Sequence, residues 1–287
     1  MPPMFSLALR EGIKVEFVQR LIRMFRLKPP PDAPDLWPRP IRIHTLGRFE
    51  VEIDDKPLEF SRKVPKKTLA LLKALIAYRH EDVPEQWLCD ALWGDEEADA
   101  AKQVLGVTVM RLRKLLGRDE AVGQQGGKVR LDRQACWVDA WRFEAALDES
   151  MPPDRLREVL DLYAGTFLPE DDGVQWSVAT RERIRGKFIH ALAMHGQALE
   201  AAGDLDDAAR LYIRGIDADV VVEAFHRGLM RCYRRMGRLT EAVSAYRRLR
   251  QTLSAVLGVK PSAESEAIYR EIMDELAMAP DQGAARH

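Results

Sequence analysis

Long apolar runs are what this chain lacks first. No hydrophobic stretch reaches the ~20 residues that a bilayer-spanning helix needs, and the N-terminus has no secretion-signal layout. No membrane association is expected. Cysteine is scarce as well: Cys89, Cys136 and Cys232 are widely spaced and form no CxxC pair. That excludes a disulfide framework and predicts buried free thiols in a cytoplasmic protein. Excess charge of one sign is also missing, because 44 basic and 45 acidic residues leave a net charge of -1. Any site for a polyanion must therefore come from local clustering.

Catalytic signatures are absent too. His190 and His195 are five apart, off the i, i+4 spacing that places two ligands on one helix face, and no cysteine or carboxylate completes a zinc set. The stretch from Gly123 to Lys128 lacks the spacing and the Ser/Thr of a phosphate loop. The acidic run Asp95 to Asp99 precedes a helical segment, where carboxylates favour the positive end of the helix dipole. The expectation is a non-enzyme without metal or cofactor.

What the chain does have is 287 residues at 46% hydrophobic content, enough for two modest domains. Residues 1–27 read as an amphipathic helical segment, with Ile13, Phe17, Leu21 and Phe25 at helical spacing among basic residues. Glu11 and Glu16 interrupt the basic face, which favours packing on a partner or neighbouring helix over a membrane surface. Residues 28–40 carry six prolines and predict a stiff extended linker.

From 41 onward, Ile41, Ile43, Phe49, Val51 and Ile53 alternate with Arg42, His44, Arg48, Glu50 and Glu52, which is strand periodicity with a turn or bulge at Leu46-Gly47. Asp54-Asp55-Lys56 turns the chain into a short strand from Pro57 to Phe60. Three helices follow: one striped by Leu69, Leu72, Leu75 and Ile76, a short one with Leu88, Ala91 and Leu92, and a third from about Ala98 to Leu116 closed by Gly117. "AVGQQGGKVRLD" predicts a hairpin around a glycine-rich tip, and "ACWVDAWRFEAAL" a strand running into a helix capped by Asp139.

"DESMPPD", residues 148–154, marks a second boundary. Beyond it the signals are helical, and "GDLDDAARLY" at 203–212 aligns with "GRLTEAVSAY" at 237–246, an offset of 34 residues. That is the period of a tetratricopeptide helix pair. Gly203 and Gly237 then make the turns between paired helices, while Leu205/Leu239, Ala208/Ala242 and Tyr212/Tyr246 pack between them.

On a helical wheel, Ala101, Leu105, Thr108, Leu112, Leu115 and Leu116 of the third helix share a core face. Gln103, Gly106, Val107, Met110 and Lys114 lie opposite, flanked by Arg111 and Arg113. Between Lys102 and Arg133 eight basic residues face three acidic ones, a net of +5 hidden by the neutrality of the whole. Helix, helix, helix, hairpin is the order of a winged helix-turn-helix, whose last helix enters the major groove. Lys66 and Lys67, at a helix N-terminus, add candidate phosphate contacts.

Residues 41–147, with "KKTLALLKAL", "LCDALWGDE" and "VMRLRKLLG", resemble the winged helix of the Streptomyces antibiotic regulatory protein type, itself similar to the response-regulator winged helix. Residues 155–273, with "LYAGTFLPED", "RERIRGKF" and "LGVKPSAESEAIYREI", resemble the bacterial transcriptional activator domain that follows it in such regulators. The opening segment and linker are also similar to the region before the C-terminal part of large ATPase-containing transcriptional regulators.

The resemblance implies a multidomain α+β and all-α protein. A response-regulator-type winged helix-turn-helix (41–147) precedes a tetratricopeptide-like bacterial transcriptional activator domain (154–279), with a disordered tail at 280–287. It implies a cytoplasmic transcriptional regulator, an activator, that binds double-stranded promoter DNA. It also implies contact with RNA polymerase or another protein through the repeats, and self-association on DNA. Lys66, Lys67, Lys102, Gln103, Met110, Arg111, Arg113, Lys114 and Lys128 are the expected DNA-facing residues. Gly106, Val107 and Met110 depart from the family, since they offer no hydrogen bonds to base edges. The competing reading is a protein-interaction module whose winged helix no longer reads sequence, with Trp176, Arg181, Arg183 and Arg185 of interest on the repeat domain; their plain reading is a core tryptophan and a solvated arginine face.

Overall fold

The computed structural model describes residues 2–25, 27–30, 33–34, 36–59, 66–79, 82–148 and 153–278. Phe60, most of the junction expected at 148–154 and the tail expected at 280–287 lie outside the described residues. The chain divides into two compact units, Met1–Ser150 with Asp161–Arg185, and Met151–Leu160 with Gly186–His287. Sequence periodicity placed 161–185 with the helical half, yet these residues pack with the first unit.

The N-terminal segment is two helices, α1 (Pro2–Arg10) and α2 (Val15–Met24). Gly12 at φ +66° and Lys14 at φ +44° break the helix between them. The break resets the helical phase, so that of the expected stripe only Leu21 packs against the buried cluster. Phe5, Leu9, Val18 and Ile22 are buried together, whereas Ile13, Phe17 and Phe25 are exposed. Trp37 joins that cluster at 1% exposure, so the proline-rich segment docks on the helices. Gln19 fixes it by donating to the Leu36 carbonyl at 2.8 Å.

A four-stranded sheet follows, in the order β3 (Lys56–Pro57), β2 (Glu50–Ile53), β1 (Ile41–His44), β7 (Cys136–Val138). β1 runs antiparallel to β2 and parallel to β7. Ile41, Ile43 and Val51 are fully buried, as alternation requires. Asp54 and Asp55 take positive φ and make the turn into β3. Gly47, at φ +84°, lets the chain pass against Ala164 and Gly165, where any Cβ would lie 2.9 Å from the Ala164 carbonyl carbon.

Three helices then pack as a group: α3 (Lys66–Tyr78), α4 (Glu85–Trp93) and α5 (Ala98–Leu116). Behind them a three-stranded sheet pairs β4 (Val83–Pro84) with β6 (Lys128–Leu131) and β6 with β5 (Val122–Gln125). Gly126 and Gly127, at φ +60° and +73°, form the hairpin tip. α6 (Asp139–Asp148) leaves β7, and Asp139 does more than cap it. Its carboxylate accepts from the backbone N–H groups of Ala140 (2.7 Å), Thr45 (2.8 Å) and Leu46 (3.0 Å) and from the Thr45 hydroxyl (2.6 Å).

Arg181 and Arg183 are built into the first unit, contrary to the solvated face expected of them. Arg181 donates to the carbonyls of Phe167, Leu168 and Asp171, bracing the loop ahead of its own helix. Arg183 donates to the buried Glu144 at 2.8 Å. Trp176 is half-buried in the same unit and not on the repeats.

The remaining helices are α7 (Pro153–Leu162), α8 (Gln175–Ala202), α9 (Leu205–Ala218), α10 (Glu223–Arg235), α11 (Leu239–Leu257) and α12 (Ala263–Met278). Gly203 and Gly237 adopt φ +88° and +73° between α8 and α9 and between α10 and α11, where the 34-residue repeat puts its turns. Ala208, Ala242, Tyr212 and Tyr246 are buried, while Leu205 and Leu239 are half-buried. Tyr212 fills a slot between Gly196 and Gly228 and donates its hydroxyl to Glu200, which also accepts from Arg231 at 2.9 Å. Tyr246 stacks on Tyr269 with centroids 4.0 Å apart and donates to Glu266.

Candidate nucleic-acid interface

The last of the three grouped helices, α5, is supported along one side and open along the other. Ala101, Leu105, Thr108, Val109, Leu112 and Leu116 are buried. Val109 belongs to this face although the wheel did not assign it, and Leu115 is half-buried at its edge. Gly117 ends the helix at φ +67°, the left-handed cap its position predicts. α5 packs on α3, α4 and β5, so its backbone is held rigidly behind the open face.

The open face carries Lys102, Gln103, Val107, Met110, Arg111 and Lys114, all exposed. Met110 is 61% exposed and Val107 42%. Val104, at 38%, extends the apolar strip, and its spacing of three from Val107 is the signal that could have revealed it. Gly106 interrupts the strip: a Cβ there would meet nothing within 4 Å, so no packing in the chain requires a glycine. A glycine in a helix interior costs about 1 kcal/mol relative to alanine, and among the described residues no close packing offsets it.

The cations divide into two groups. Lys66, Lys102, Arg111, Lys114 and Lys128 are exposed, and among the described residues none has an ion-pair or hydrogen-bond partner through its side chain. Arg111 and Lys114 thus do not pair with the acidic run Asp95 to Asp99. Others in the basic stretch serve the fold. Arg113 is half-buried and donates its Nε to the Val122 carbonyl at 2.8 Å, tying α5 to the hairpin. Lys67 donates to the Leu92 carbonyl and stands over the Trp93 ring at 5.6 Å, drawn toward the end of α4. Arg118 pairs with Asp54 at 2.8 Å, and Arg133 donates to the Arg79 carbonyl at 3.1 Å. The nine expected DNA-facing residues therefore share one unit, but Arg113 and Lys67 are partly committed within it.

Lys128 opens β6 directly after the Gly126-Gly127 tip, opposite Gln125. A rigid helix with an open cationic face, beside a hairpin with a cation at its tip, is chemically suited to a duplex. Groove insertion and backbone neutralisation come from neighbouring elements. Among the described residues, no group of three or more His, Cys, Asp or Glu side chains could hold a metal ion, and no helix is long and apolar enough to cross a membrane.

Comparison with known proteins adds two family matches in the same order along the chain. Residues 61–125 match "Transcriptional regulatory protein, C terminal", and residues 138–273 match "Bacterial transcriptional activator domain". The chain is 28% identical over 234 residues to the regulatory protein AfsR of Streptomyces griseus, a match covering 75% of this chain and 23% of that one. It is 24% identical over 256 residues to the transcriptional regulatory protein MoaR1 of Mycobacterium bovis, covering 83% and 81%. In fold it is similar to Mycobacterium tuberculosis EmbR, solved in complex with a low-affinity phosphopeptide, with a TM-score of 0.64 at 21% identity over 83% of this chain and 66% of that one. The chain thus spans about a quarter of the AfsR length.

Proposed function

From a chain of the Streptomyces antibiotic regulatory protein type, a winged helix ahead of a bacterial transcriptional activator domain, we propose a DNA-binding transcriptional regulator, an activator, that is not an enzyme and works in the cytoplasm. α5 lies in the major groove of promoter DNA and the β5–β6 tip touches the adjacent backbone. The observation that carries this reading is the open face of α5. Its cations Lys102, Arg111 and Lys114 have no partner within the described chain, while the opposite face is buried.

Lys66, Lys102, Arg111, Lys114 and Lys128 contact phosphates, with Lys67 and Arg113 contributing where their internal bonds allow. About five neutralised phosphates give a slope of log affinity against log salt on the order of -4 to -5. Gln103 is the polar side chain available to a base edge, and Met110 and Val107 offer apolar contact to thymine methyl groups. The helical unit binds a protein partner, RNA polymerase among the candidates, or a second copy on DNA.

The test is a fluorescence titration of the intact chain with its own upstream DNA and with scrambled duplex, at two salt concentrations. Tighter, salt-sensitive binding to the native sequence is expected. No binding at low salt would overturn the DNA reading and leave the protein-interaction module in its place.

A further inference from the structure

Away from the basic face, the first unit contains a cleft of about 430 Å³ lined by Tyr78 at the end of α3, Trp87, Asp90 and Ala91 of α4, and Val174 to Trp176 at the start of α8. Three aromatic rings thus meet at one opening. Tyr78 and Trp87 are in contact, with centroids 5.9 Å apart at 48°, so one wall is already assembled. Trp87 is nevertheless 45% exposed. Close to half of the tryptophan surface is thus open to solvent.

Among the described residues that line the cleft, Asp90 is the one that carries a charge. Asp90 accepts one hydrogen bond, from Gln86 at 2.7 Å, and among the described residues no cation pairs with it. Among the described residues that line the opening, none is basic. Ring faces carry negative potential, and a carboxylate beside them adds a formal charge, so the cleft favours a cation. An uncharged apolar group would cover Asp90 without compensating it. A guanidinium suits the geometry better than an ammonium, because its plane stacks on an indole while its fork pairs with a carboxylate.

We propose that this cleft receives an arginine side chain of a partner polypeptide. The half-exposed Trp87 argues for a side chain carried on a chain, whose backbone would cover the rim, over a free small cation that would leave it wet. Tryptophan and arginine are also the residues that anchor protein interfaces most often. None of the lining residues belongs to the DNA-facing set, so this proposal stands or falls apart from the DNA reading.

The test uses the full chain labelled with ¹⁵N at its six tryptophan indoles. The probe is the blocked peptide acetyl-Gly-Arg-Gly-amide, titrated to ~10 mM, the range of a single side-chain contact. Saturable shifts are expected at two indole signals, assigned to Trp87 and Trp176 through Trp87→Phe and Trp176→Phe. Asp90→Asn, a surface change that leaves the fold intact, is expected to weaken binding by roughly five-fold. The same peptide with citrulline, equal in shape but uncharged, is expected not to saturate.

The proposal would be overturned by no saturable shift with the arginine peptide, by equal binding of the citrulline peptide, or by unchanged affinity in Asp90→Asn. Tetramethylammonium ion is the last arm. Saturation by it as tight as by the arginine peptide would mark a small-cation site and likewise reject a partner's arginine.

Discussion

The Thr45 hydroxyl donates to the Asp139 carboxylate at 2.6 Å, joining residues 94 apart in the sequence. Thr45 and Leu46 leave β1, and Asp139 opens α6 just after β7, the parallel neighbour of β1. One buried carboxylate therefore satisfies donors at the ends of two strands and the start of a helix. Asp139→Asn presents an N–H₂ group to those donors and leaves buried N–H groups unpaired, each costing about 1–3 kcal/mol. Thr45→Val removes one hydroxyl and keeps the backbone bonds, costing about 1 kcal/mol. Urea unfolding followed by circular dichroism should rank the two that way, and the opposite order would remove Asp139 from the centre of this junction.

Two glycines of α8 separate packing from helix propensity. At Gly196 a Cβ would sit 2.5 Å from the Tyr212 ring, which Gly228 confines from the other side at 2.4 Å. The ring has no room to retreat, so Gly196→Ala should destabilise the helical unit by about 1–3 kcal/mol. At Gly186 a Cβ would meet nothing within 4 Å. Gly186→Ala should be neutral, or stabilising by up to about 1 kcal/mol, through helix propensity alone. Equal effects of the two alanines on the unfolding midpoint would refute the slot.

His226 gives the helical unit a pH dependence. It is buried, its Nε2 lies 3.1 Å from the Val220 carbonyl, and burial, reinforced by Arg248, lowers its pKa despite Glu223 nearby. Burial lowers the His195 pKa too, helped by Arg157. A depressed histidine pKa means that the unfolded chain takes up a proton first. Stability is then fully present above the ordinary value of 6.5 and is lost as pH falls from there through the folded pKa. Glu223, whose pKa is lowered by Ser265 and Ser262 bonds that outweigh its burial, acts only below 4.5. The unfolding midpoint should drop between pH 7 and 5.5, and His226→Gln should flatten that drop. A slope unchanged in the variant would assign the effect elsewhere.

Local signals were legible in the sequence and long-range ones were not. The limits of α5 were readable because 3.6-residue periodicity ends at a glycine, and the repeat turns because Gly203 and Gly237 occupy equivalent positions. The wheel misjudged Val109 and Leu115 only because both lie at the edge of the buried stripe. Most of the N-terminal stripe faces outward for a different reason: Gly12 and Lys14 restart the helical phase, and a single wheel drawn through them averages two faces. Trp37 was hidden in a proline-rich stretch whose composition says extended but not what it packs on. Residues 161–185 read as helical without revealing which core they serve, and the bond from Arg113 to the Val122 carbonyl was hidden because a backbone acceptor carries no sequence signal.

That last distinction yields the sharpest test of the interface. Arg111 and Lys114 are exposed and, among the described residues, without side-chain partners, whereas Arg113 between them donates to Val122. If phosphates are contacted from the open face, Arg111→Ala combined with Lys114→Ala removes two cations without touching the core. The salt slope should then flatten by about 2, with affinity falling on every duplex alike because phosphate contacts carry no sequence information. Arg113→Ala should behave differently: it frees the hairpin from α5, costs about 1 kcal/mol of stability, and changes the slope by at most about 1. Measuring unfolding midpoints and salt slopes on the same three proteins separates the roles. A double variant that folds normally and keeps the full slope would move the DNA contact off α5, and an Arg113→Ala protein with unaltered stability and the larger loss of slope would make Arg113 a principal phosphate contact.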